Sequence, residues 1–519
     1  MLSILPQTYR AVPNIDHTYP LPSARTLKRK LDELTICGQN LQSKFYNSNK
    51  KFKRLHEKVE NLKTRLVESL EKSSIEDSTK DCIIDAAKNI PERLLQSSSL
   101  KPHEFHPIIR RFALTLHFYS PKAYRLLRET FNNTLPCEST LYKWCSKLDA
   151  EPGFTEQSFQ FIKKKVEEEK AKGKDLLFSL SFDEMKLMKN LQFNGEKFVG
   201  CVDFGFECGD QSDGAEEATD VSVFMLNVLN SNWKLPLGYF FIKSTTASQN
   251  ENLVRICLQK LHEVGATVCS VACDGPSTHI NMAKRLGVSF ELTNLNSLMA
   301  NLTSQSKTFF ILDPAHMIKL VRNCFGDLKT FIKDGKTISW KYVEELYKLQ
   351  TDRGLYLCNK LSTQHIYYHD TKMKVKFATQ LFSNSVADAI DFARDVLKLQ
   401  QFEGSEETTT FLRIINDGFD LQNSQKMRDK GFKSPITTEN QAQFETRIQE
   451  ITCYLHALET SSGQKLVKSR RFTGFVGFLI NFKSLLGIYE EYVVNGPLKY
   501  LLFNKCSQDY LEHFFGRLV

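Results

Sequence analysis

Apolar residues recur every 3.5 residues on average between residues 24 and 72. Alternating steps of four and three residues from Leu27 to Leu66 reach twelve positions, of which ten are apolar and two are Gly38 and Ser48. A seam with this period makes two helices supercoil around each other. The pattern therefore predicts a coiled coil that pairs two copies of the chain. A single amphipathic helix lying on its own domain is the alternative.

Three short helices are predicted within residues 90–150. The first is FHPIIRRFALTLHFY, and the second begins at Ser120-Pro121, where a side-chain cap precedes a proline in the first turn. A turn ending at Pro136 separates it from the third helix, STLYKWCSKL. Two helices joined by a tight turn are typical of a helix-turn-helix, although an ordinary helical bundle gives a similar pattern. The candidate DNA contacts on the third helix are Ser139, Thr140, Lys143 and Lys147.

From residue 174 the apolar pattern changes to runs of strand length. The runs are LLFSLSF, KFVGCVDFGF, VSVFMLNVL and LGYFFIK; a helix, TVCSVACD, a short helix and TFFILD follow. A group of strands followed by alternating helices and strands predicts an α/β domain over residues 174–325. Residues 326–500 are helical in pattern almost throughout, and a final helix is predicted within residues 501–519.

The net charge is concentrated in the first 150 residues. They hold 25 Lys+Arg and 16 Asp+Glu, an excess of 25 − 16 = +9 that equals the charge of the whole chain, 69 − 60 = +9. Such clustering is typical of a protein that binds a polyanion, and a solvated helical surface is the alternative. A hydrophobic content of 41% excludes wholesale disorder. No apolar run approaches the ~18 residues of a membrane span, and 13 cysteines without a C-x-x-C pair predict a reducing compartment.

Three carboxylates stand at positions where ligands often bind. Asp183 ends the first predicted strand, Asp274 ends the strand after the first helix, and Glu512 lies on the closing helix. Ligands of open α/β sheets bind where strands end, and carboxylate oxygens suit Mg²⁺ or Mn²⁺. Two such cations about 4 Å apart can hold both the attacking and the leaving oxygen in phosphoryl transfer. An aspartate at a strand end is more often a turn former, so the positions alone leave both interpretations open.

Six motifs together resemble the P-element transposase superfamily, which includes domesticated THAP-domain proteins. They are SFDEMKLMKNLQF, VACDGPSTHINMAKRLG, ILDPAHMIKLVRN, KVKFATQLFSNSVADAI, INDGFDLQNS and SQDYLEHFFG, in the family's order. The resemblance implies an α/β, RNase H-like catalytic core interrupted by a large all-helical insertion and preceded by a coiled coil and a helix-turn-helix domain. It also implies a catalytic and metal-binding D-D-E triad of Asp183, Asp274 and Glu512. The 238 residues between the last two (512 − 274 = 238) agree with an inserted domain.

The resemblance further implies a nucleotide cofactor. Members of the family use GTP for assembly rather than as a hydrolysed fuel, although this chain has no P-loop sequence GxxxxGK[ST]. A carboxylate such as Asp420 can accept two hydrogen bonds from the guanine edge, and lysines suit phosphate. A helical insertion without a ligand is the alternative. The residues implied to bind GTP are Lys360, Lys374, Val375, Ser383, Asp420, Asn423 and Asp509.

The first 23 residues form an irregular, proline-rich leader. The stretch AVPNI (residues 11–15) resembles the end of a THAP-type zinc module, but the Cys and His ligands of such a module do not precede it. The chain also ends seven residues after Glu512. We therefore expect a form without the zinc module and without the family's C-terminal tail. The implied domains are a leader at 1–23, a coiled coil at 24–72, a helix-turn-helix at 90–150, core segments at 174–325 and 501–519, and a GTP-binding insertion at 326–500.

These inferences predict a nuclear DNA transposase that dimerises, or assembles further, through the coiled coil and binds transposon ends and target DNA, with Mg²⁺ or Mn²⁺ and GTP as cofactors. A non-enzymatic DNA-binding regulator is the main alternative. A nuclease acting on RNA–DNA hybrids is disfavoured by the coiled coil and the long insertion. His316 is expected to be either a proton carrier or a structural helix cap. Lys319 and Arg322 are expected either to contact DNA or to face solvent.

Overall fold

The part of the chain that the structure describes divides into two units. The computed structural model describes residues 105–518 except 106, 132, 134, 146–150, 194–197, 206–215, 301–305, 355–356 and 359. One unit ends at Cys145 and the other begins at Ser146. The predicted leader (1–23), the predicted coiled coil (24–72) and Lys147 lie outside the described residues.

The described residues of the first unit form three helices. They are α1 (Pro107–Tyr119), α2 (Pro121–Thr130) and α3 (Glu138–Cys145). Ser120 caps α2, since its Oγ accepts a hydrogen bond from the backbone N of Ala123 at 3.1 Å. The fully buried Tyr124 donates its hydroxyl to the carbonyl of Pro136 at 2.5 Å, which joins α2 to the segment before α3. The three predicted helices are confirmed.

A six-stranded sheet forms the centre of the second unit. Its strands are β1 (Gly153–Phe154), β2 (Leu177–Lys186), β5 (Asp220–Val228), β6 (Lys234–Ile242), β7 (Thr267–Cys273) and β8 (Phe309–Leu312), and their order is β1-β6-β5-β2-β7-β8. Neighbours from β1 to β2 are antiparallel, whereas β2, β7 and β8 are parallel. The central strands are buried on both faces, which explains their nearly continuous apolar runs. The sheet begins before residue 174, the predicted start of the core.

One predicted strand is only partly present. Within KFVGCVDFGF the structure has β4 (Phe198–Val199), which pairs with β3 (Gln192–Phe193) as a two-stranded ribbon apart from the main sheet. Gly200 has φ of +105° and leaves the extended conformation directly after β4. The apolar run is therefore interrupted by a bend, and it does not form a strand of the central sheet.

Helices flank the sheet and make up most of the following 200 residues. They are α4 (Glu156–Lys170), α5 (Ala247–Glu263), α6 (Ser277–Arg285), α7 (Pro314–Leu328), α8 (Lys341–Arg353), α9 (Thr363–Ile366), α10 (Val375–Leu381), α11 (Asn384–Asp391), α12 (Glu406–Gln422), α13 (Gln441–Ala457), α14 (Thr473–Tyr489) and α15 (Asp509–Leu518). Within the described residues, no helix is long and apolar enough to cross a bilayer. The α/β class and the closing helix are confirmed.

The expectation of an all-helical insertion is wrong. Residues 326–500 contain a three-stranded antiparallel sheet of β9 (Thr330–Lys333), β10 (Lys336–Ser339) and β11 (Glu459–Thr460). Asp334 and Gly335 join β9 to β10 with φ values of +48° and +78°. An Asp-Gly pair with two positive φ angles is the turn that closes a two-residue hairpin. A short hairpin between long helices is too brief to change a periodicity read over many residues.

Helix α14 lies within the range predicted as the insertion, yet it packs directly on the core. A Cβ at Gly487 would lie 2.2 Å from the ring of Phe309 on β8, and a Cβ at Gly477 would lie 2.1 Å from the sulfur of Met317 on α7. These glycines allow the helix backbone to approach the sheet closely. The insertion and the core therefore share one continuous hydrophobic interior.

Candidate functional site

Two carboxylates stand at the carboxyl ends of the central parallel strands. Asp183 lies near the end of β2, and Asp274 directly follows β7. The register pairs Ser181 with Ala272, so the two aspartates, each two residues further on, stand at the same level of the sheet. This edge is where open α/β sheets bind ligands.

A third aspartate, Asp313, occupies the equivalent position after β8. Cys273 pairs with Leu312 across β7 and β8, so Asp313 is the neighbour of Asp274. Its side chain is 1% exposed, and Oδ2 accepts a hydrogen bond from the backbone N of His316 at 2.8 Å as the cap of α7. Sequence reasoning missed this residue, although it also follows a parallel strand.

Helix α15 brings Glu512 to the same edge of the sheet. Gln508, just before the helix, donates Nε2 to the carbonyl of Phe182 at 2.7 Å and its backbone N to Oδ1 of Asp313 at 3.3 Å. Leu511 is fully buried and packs with apolar residues of β5. These contacts fix the first turn of α15 beside β2. The structure therefore places Glu512 within electrostatic range of the two strand-end aspartates.

We call Asp183, Asp274, Asp313 and Glu512 the acid cluster. Burial, followed by the charge of Asp274, raises the pKa of Asp183 to about 8. Burial, followed by the charges of Asp274 and Glu512, raises the pKa of Asp313 to about 7. Partial desolvation also raises the pKa of Glu512, which is the most exposed of the four. Raised carboxyl pKa values of this kind show that the site is poorly solvated and that its ionised acids repel one another.

Asp274 differs from the other members of the cluster because a basic side chain lies against its carboxylate. Nδ1 of His316 lies 3.0 Å from Oδ2 of Asp274. Burial acts to raise the pKa of Asp274, but His316 and then Lys319 lower it overall. His316 is therefore not the cap of α7, a role that Asp313 fills; its ring faces an acid of the cluster instead.

The expectation that Lys319 and Arg322 contact DNA or face solvent is wrong. Lys319 is 8% exposed and lies near the acid cluster. Arg322 has no exposed surface, and its Nη2 donates to the carbonyls of Thr371 and Lys372 at 3.2 and 3.0 Å. Both side chains are buried, and Arg322 joins α7 to the segment that contains Thr371 and Lys372.

The acid cluster fits a divalent cation in its chemistry. All its donors are carboxylate oxygens, the set that Mg²⁺ and Mn²⁺ prefer. A cation would also relieve the repulsion that raises the pKa values of Asp183 and Asp313. Among the described residues, no three His, Cys, Asp or Glu side chains are grouped closely enough to form a finished metal site. The described structure therefore shows the acid cluster in an arrangement that is not closed around a metal ion.

A polar cavity of about 530 Å³ adjoins the acid cluster. Its volume is within the roughly 300–1,000 Å³ of small-molecule sites. Four residues that were implied to bind GTP line it, namely Val375, Asp420, Asn423 and Asp509. Lining residues that sequence reasoning missed include Asp313, Lys376, Thr379, Asn416, Phe419 and Lys433. Asp313 therefore belongs to both the polar cavity and the acid cluster.

The polar cavity combines two half-buried carboxyl groups with cations. Burial raises the pKa of Asp420, whose Oδ2 accepts a hydrogen bond from Nδ2 of Asn416 at 3.2 Å. Burial likewise raises the pKa of Asp509, whose Oδ2 accepts from Asn504 at 2.5 Å. The exposed side chains of Lys376 and Lys433 complete a lining that can receive a molecule with both donor and anionic groups.

Three of the residues implied to bind GTP do not line the polar cavity. Lys360 and Lys374 are exposed, and Lys374 directly precedes α10. Ser383 caps α11, since its Oγ accepts from the backbone N of Val386 at 3.4 Å and donates to the carbonyl of Gln380 at 2.8 Å. Lys376, two residues after Lys374, is the lysine of this segment that lines the cavity.

Three of the four candidate DNA contacts belong to the first unit, and Lys147 lies outside the described residues. Ser139 and Lys143 on α3 are exposed, and Thr140 is half-buried. The hydroxyls of Ser139 and Thr140 each lie 3.0 Å from Sγ of Cys137. These hydrogen bonds lower the pKa of the Cys137 thiol to about 7. The start of α3 thus carries a polar group of three small side chains.

Comparisons with known proteins match most of the chain. Family models match at residues 40–144 (transposable element P transposase-like, HTH domain), 150–287 (TNP-like, RNase H N-terminal domain) and 315–435 (TNP-like, GTP-binding insertion domain). The DNA transposase THAP9 of Homo sapiens is 30% identical over 99% of this chain and 56% of its own length. The transposable element P transposase of Drosophila melanogaster is 28% identical over 78% of this chain and 50% of its own length. The chain thus spans about half the length of the curated relatives it matches.

A solved structure supports the same relationship. The Drosophila P element transposase strand transfer complex superposes with a TM-score of 0.65 and 26% identity, over 82% of this chain and 88% of the compared chain. The family models cover five of the six strands of the central sheet and residues 315–435, so the predicted resemblance is confirmed. The part that matches the RNase H N-terminal domain contains Asp183 and Asp274, and most residues that line the polar cavity lie in the part that matches the GTP-binding insertion domain. The chain belongs to the P-element transposase superfamily.

Proposed function

We propose that this protein is a P-element-like DNA transposase that cuts and joins DNA at the acid cluster, with GTP in the polar cavity as a cofactor of assembly. The observation that carries the proposal is the meeting of Asp183 and Asp274 on adjacent parallel strands, with Glu512 delivered to the same edge by Gln508. These are the three acids that the family motifs identify.

Asp183, Asp274 and Glu512 would hold Mg²⁺ or Mn²⁺. The bound metal would activate the attacking water or hydroxyl and stabilise the departing oxygen of a phosphodiester. The surrounding residues position the acids: His316 faces one carboxylate oxygen of Asp274, and Gln508 ties the closing helix to β2. In the cleavage step water attacks phosphorus and the bond to the 3′ oxygen breaks. The freed 3′-hydroxyl would then attack a phosphorus of the target DNA, the bond from that phosphorus to the target's own 3′ oxygen would break, and the departing oxygen would take up a proton.

The polar cavity suits a guanine nucleotide. A carboxylate at Asp420 can accept hydrogen bonds from both N1–H and the 2-amino group of guanine, whereas adenine offers it a donor beside an acceptor. Phe419 and Val375 supply apolar surface for the base, and Lys376 and Lys433 supply charge for phosphates. We propose that GTP binds without being consumed.

DNA binding and assembly complete the proposal. Ser139, Thr140, Lys143 and Lys147 of the helix-turn-helix would contact DNA, and the basic excess of the first 150 residues would attract it. The predicted coiled coil at 24–72 would pair two chains, as two transposon ends require. Action on chromosomal DNA places the proposed activity in the nucleus.

A DNA-binding regulator that does not cleave is the second candidate. One observation favours it: no three potential metal ligands among the described residues form a closed group. The two candidates differ in what a divalent cation does. A transposase needs the cation to close the acid cluster and cut, whereas a regulator binds DNA equally well when the cluster stays open.

The cleavage proposal is tested with the full chain and a labelled DNA duplex in Mn²⁺. Asp274→Ala should lower nicking and strand joining at least a hundredfold while circular dichroism and DNA affinity stay unchanged. The matched control is Asp175→Asn, an exposed aspartate just before β2, which should leave both activities within twofold. Full cleavage by Asp274→Ala would refute the assignment, and no cleavage by the natural chain beside normal DNA binding would favour the regulator.

The nucleotide proposal is tested by calorimetry with GTP and ATP. A buried polar group left unpaired by the wrong base costs about 1–3 kcal/mol, so GTP should bind roughly tenfold to a hundredfold more tightly. Asp420→Asn should narrow that ratio, and Asp352→Asn serves as the control, because Asp352 on α8 is exposed and does not line the polar cavity. Equal affinity for the two nucleotides, or steady phosphate release during cleavage, would show that the proposed role of GTP is wrong.

A further inference from the structure

The hydrogen bonds of Asp313 reach a neighbour of each of the three proposed catalytic acids. Its backbone N donates to the carbonyl of Cys273 at 3.0 Å, and Cys273 directly precedes Asp274. Its Oδ2 accepts from the backbone N of His316 at 2.8 Å, and the ring of His316 lies 3.0 Å from Asp274. The backbone N and Oδ2 of Asp313 therefore hold the residue before Asp274 and the histidine that lies against Asp274.

The other carboxylate oxygen of Asp313 holds the helix that carries Glu512. Oδ1 accepts a hydrogen bond from the backbone N of Gln508 at 3.3 Å. The carbonyl of Gln508 in turn accepts from the backbone N of Glu512 at 3.0 Å. The side chain of Gln508 donates to the carbonyl of Phe182, the residue before Asp183. The same carboxylate thus supports the third acid through the backbone of Gln508 and the first acid through the side chain of Gln508.

Asp313 also lines the polar cavity, as does Asp509 at the start of α15. A molecule in the cavity therefore touches the two segments that the carboxylate of Asp313 joins. The part that matches the GTP-binding insertion domain begins at residue 315, two residues after Asp313, and Ser507, just before α15, lines the cavity as well. The cavity therefore lies between the start of α7 and the start of α15.

We propose that Asp313 is a positioning residue that couples occupancy of the polar cavity to the geometry of the acid cluster. A nucleotide in the cavity would brace the start of α7 and the start of α15 against each other through Asp313, and so bring Glu512 towards Asp183 and Asp274. This inference rests on the proposed function. Coupling of this kind is reciprocal, so nucleotide and divalent cation strengthen each other's binding.

A simple helix cap does not account for this arrangement. A serine or asparagine could cap α7 equally well, without placing a carboxylate that is 1% exposed among other acids. A carboxylate has two acceptor oxygens, and Asp313 uses one for His316 and the other for Gln508. An asparagine offers one acceptor and one donor, so it must give up one of the two bonds.

The test measures Mn²⁺ binding to the full chain by calorimetry, with and without saturating GTP. The natural chain should bind Mn²⁺ at least fivefold more tightly when GTP is present. Asp313→Asn should lower the affinity for Mn²⁺ alone, because it removes a charge from the acid cluster, and the ratio of the Mn²⁺ affinities with and without GTP should fall to near one. Hydrogen exchange of the metal-free protein gives a second readout: peptides covering residues 314–318 and 506–512 should exchange faster in Asp313→Asn.

Two further variants separate coupling from folding. Asp313→Ser keeps an N-cap for α7 but has no second acceptor for Gln508, so it should fold and still lose the coupling. Ser484→Ala is the control, because Ser484 is fully buried and donates to the carbonyl of Phe310 on β8 at 2.5 Å, away from the acids. It should lower the unfolding temperature and leave the GTP effect on Mn²⁺ unchanged.

The outcomes distinguish this inference from the function on which it rests. A GTP effect that stays within twofold of the natural value in Asp313→Asn and Asp313→Ser would reduce Asp313 to a helix cap. A natural chain that binds both ligands and cuts DNA, but without mutual enhancement, would overturn the coupling and leave the transposase proposal standing. A natural chain that binds no Mn²⁺ with or without GTP would overturn both.

Discussion

Replacing Asp183 with Asn should stabilise the metal-free protein while it abolishes cleavage. The side chain lies among other acids, and burial together with the charge of Asp274 raises its pKa to about 8 from an ordinary value of 3.8. A folded-state pKa above the unfolded value means that the native protein holds a proton that the unfolded chain releases. The contribution of this group to stability therefore falls as the pH rises from about 4 to about 8.

The size of the effect follows from the same two pKa values. Each pKa unit corresponds to about 1.4 kcal/mol, so at pH 7 the shift from 3.8 costs up to about 4 kcal/mol. At pH 5 the cost is less than about 2 kcal/mol by the same arithmetic. Asparagine keeps the shape but cannot ionise, although burial of its amide offsets part of the gain. We expect Asp183→Asn to raise the free energy of unfolding by about 2–4 kcal/mol at pH 7 and by much less at pH 5.

The assay is denaturant unfolding of the full chain in a chelating buffer at several pH values, beside a cleavage assay in Mn²⁺. Mg²⁺ should stabilise the natural protein, since it binds the folded state, and should leave Asp183→Asn almost unchanged. Asp175→Asn, which alters an exposed aspartate, should stay within about 0.5 kcal/mol of the natural protein at every pH. A variant at position 183 that is less stable than the natural protein at pH 7 to 8 would show that this carboxylate is not a repelled, desolvated charge.

Three other changes test the packing and electrostatics around the site. Gly487→Ala should destabilise the second unit by about 1–3 kcal/mol in denaturant unfolding, because the new methyl group meets the ring of Phe309; an unchanged midpoint would contradict this packing. Lys319→Met should bind Mn²⁺ several-fold more tightly by calorimetry, because the lysine that competes with the metal for the acid cluster is removed, and weaker binding would count against its placement. Tyr124→Phe should lower the unfolding free energy of the first unit by about 1–2 kcal/mol, because the carbonyl of Pro136 loses its buried donor.

Two of the three aspartates at strand ends, Asp183 and Asp274, could be predicted from the sequence. Asp183 and Asp274 each follow a long apolar run that is buried on both faces, and such runs identify parallel or central strands without help from homologues. The pair Ser120-Pro121 likewise predicted the start of α2, where Ser120 is the observed cap. In these cases the local signal is strong because a buried strand or a capped turn tolerates few other residues.

The polar cavity could be predicted only in part. Asp420 and Asn423 lie on or directly after α12, and motif resemblance found both. Lys376 was missed in favour of Lys374, because resemblance places a short motif but does not say which face of a helix turns inwards. Lys433 comes from a separate turn after α12 and carries no periodic signal at all. Cavities are formed by the packing of several elements, which a pattern along one segment does not encode.

Asp313 was overlooked for a different reason. Asp-Pro at the start of a helix is an ordinary cap and first-turn pair, so local sequence gives a sufficient explanation for the residue. Its second role depends on Gln508, which is 195 residues away along the chain. The Asp334-Gly335 turn was missed although its signal is local and strong, because the helical pattern on both sides of it dominated the reading.

The topology of the insertion supports the proposal that a nucleotide assists assembly without being consumed. The acid cluster includes Glu512, yet the chain reaches this residue only after the insertion. Several polar contacts hold the segment just before Glu512, among them those of Gln508 with Asp313 and Phe182 and those of Lys505 with the carbonyls of Leu229 and Ser231. A ligand bound between the outgoing and the returning segments adds its own binding energy to that junction. Such a ligand stabilises the assembled site for as long as it stays bound, and hydrolysis would only weaken the support.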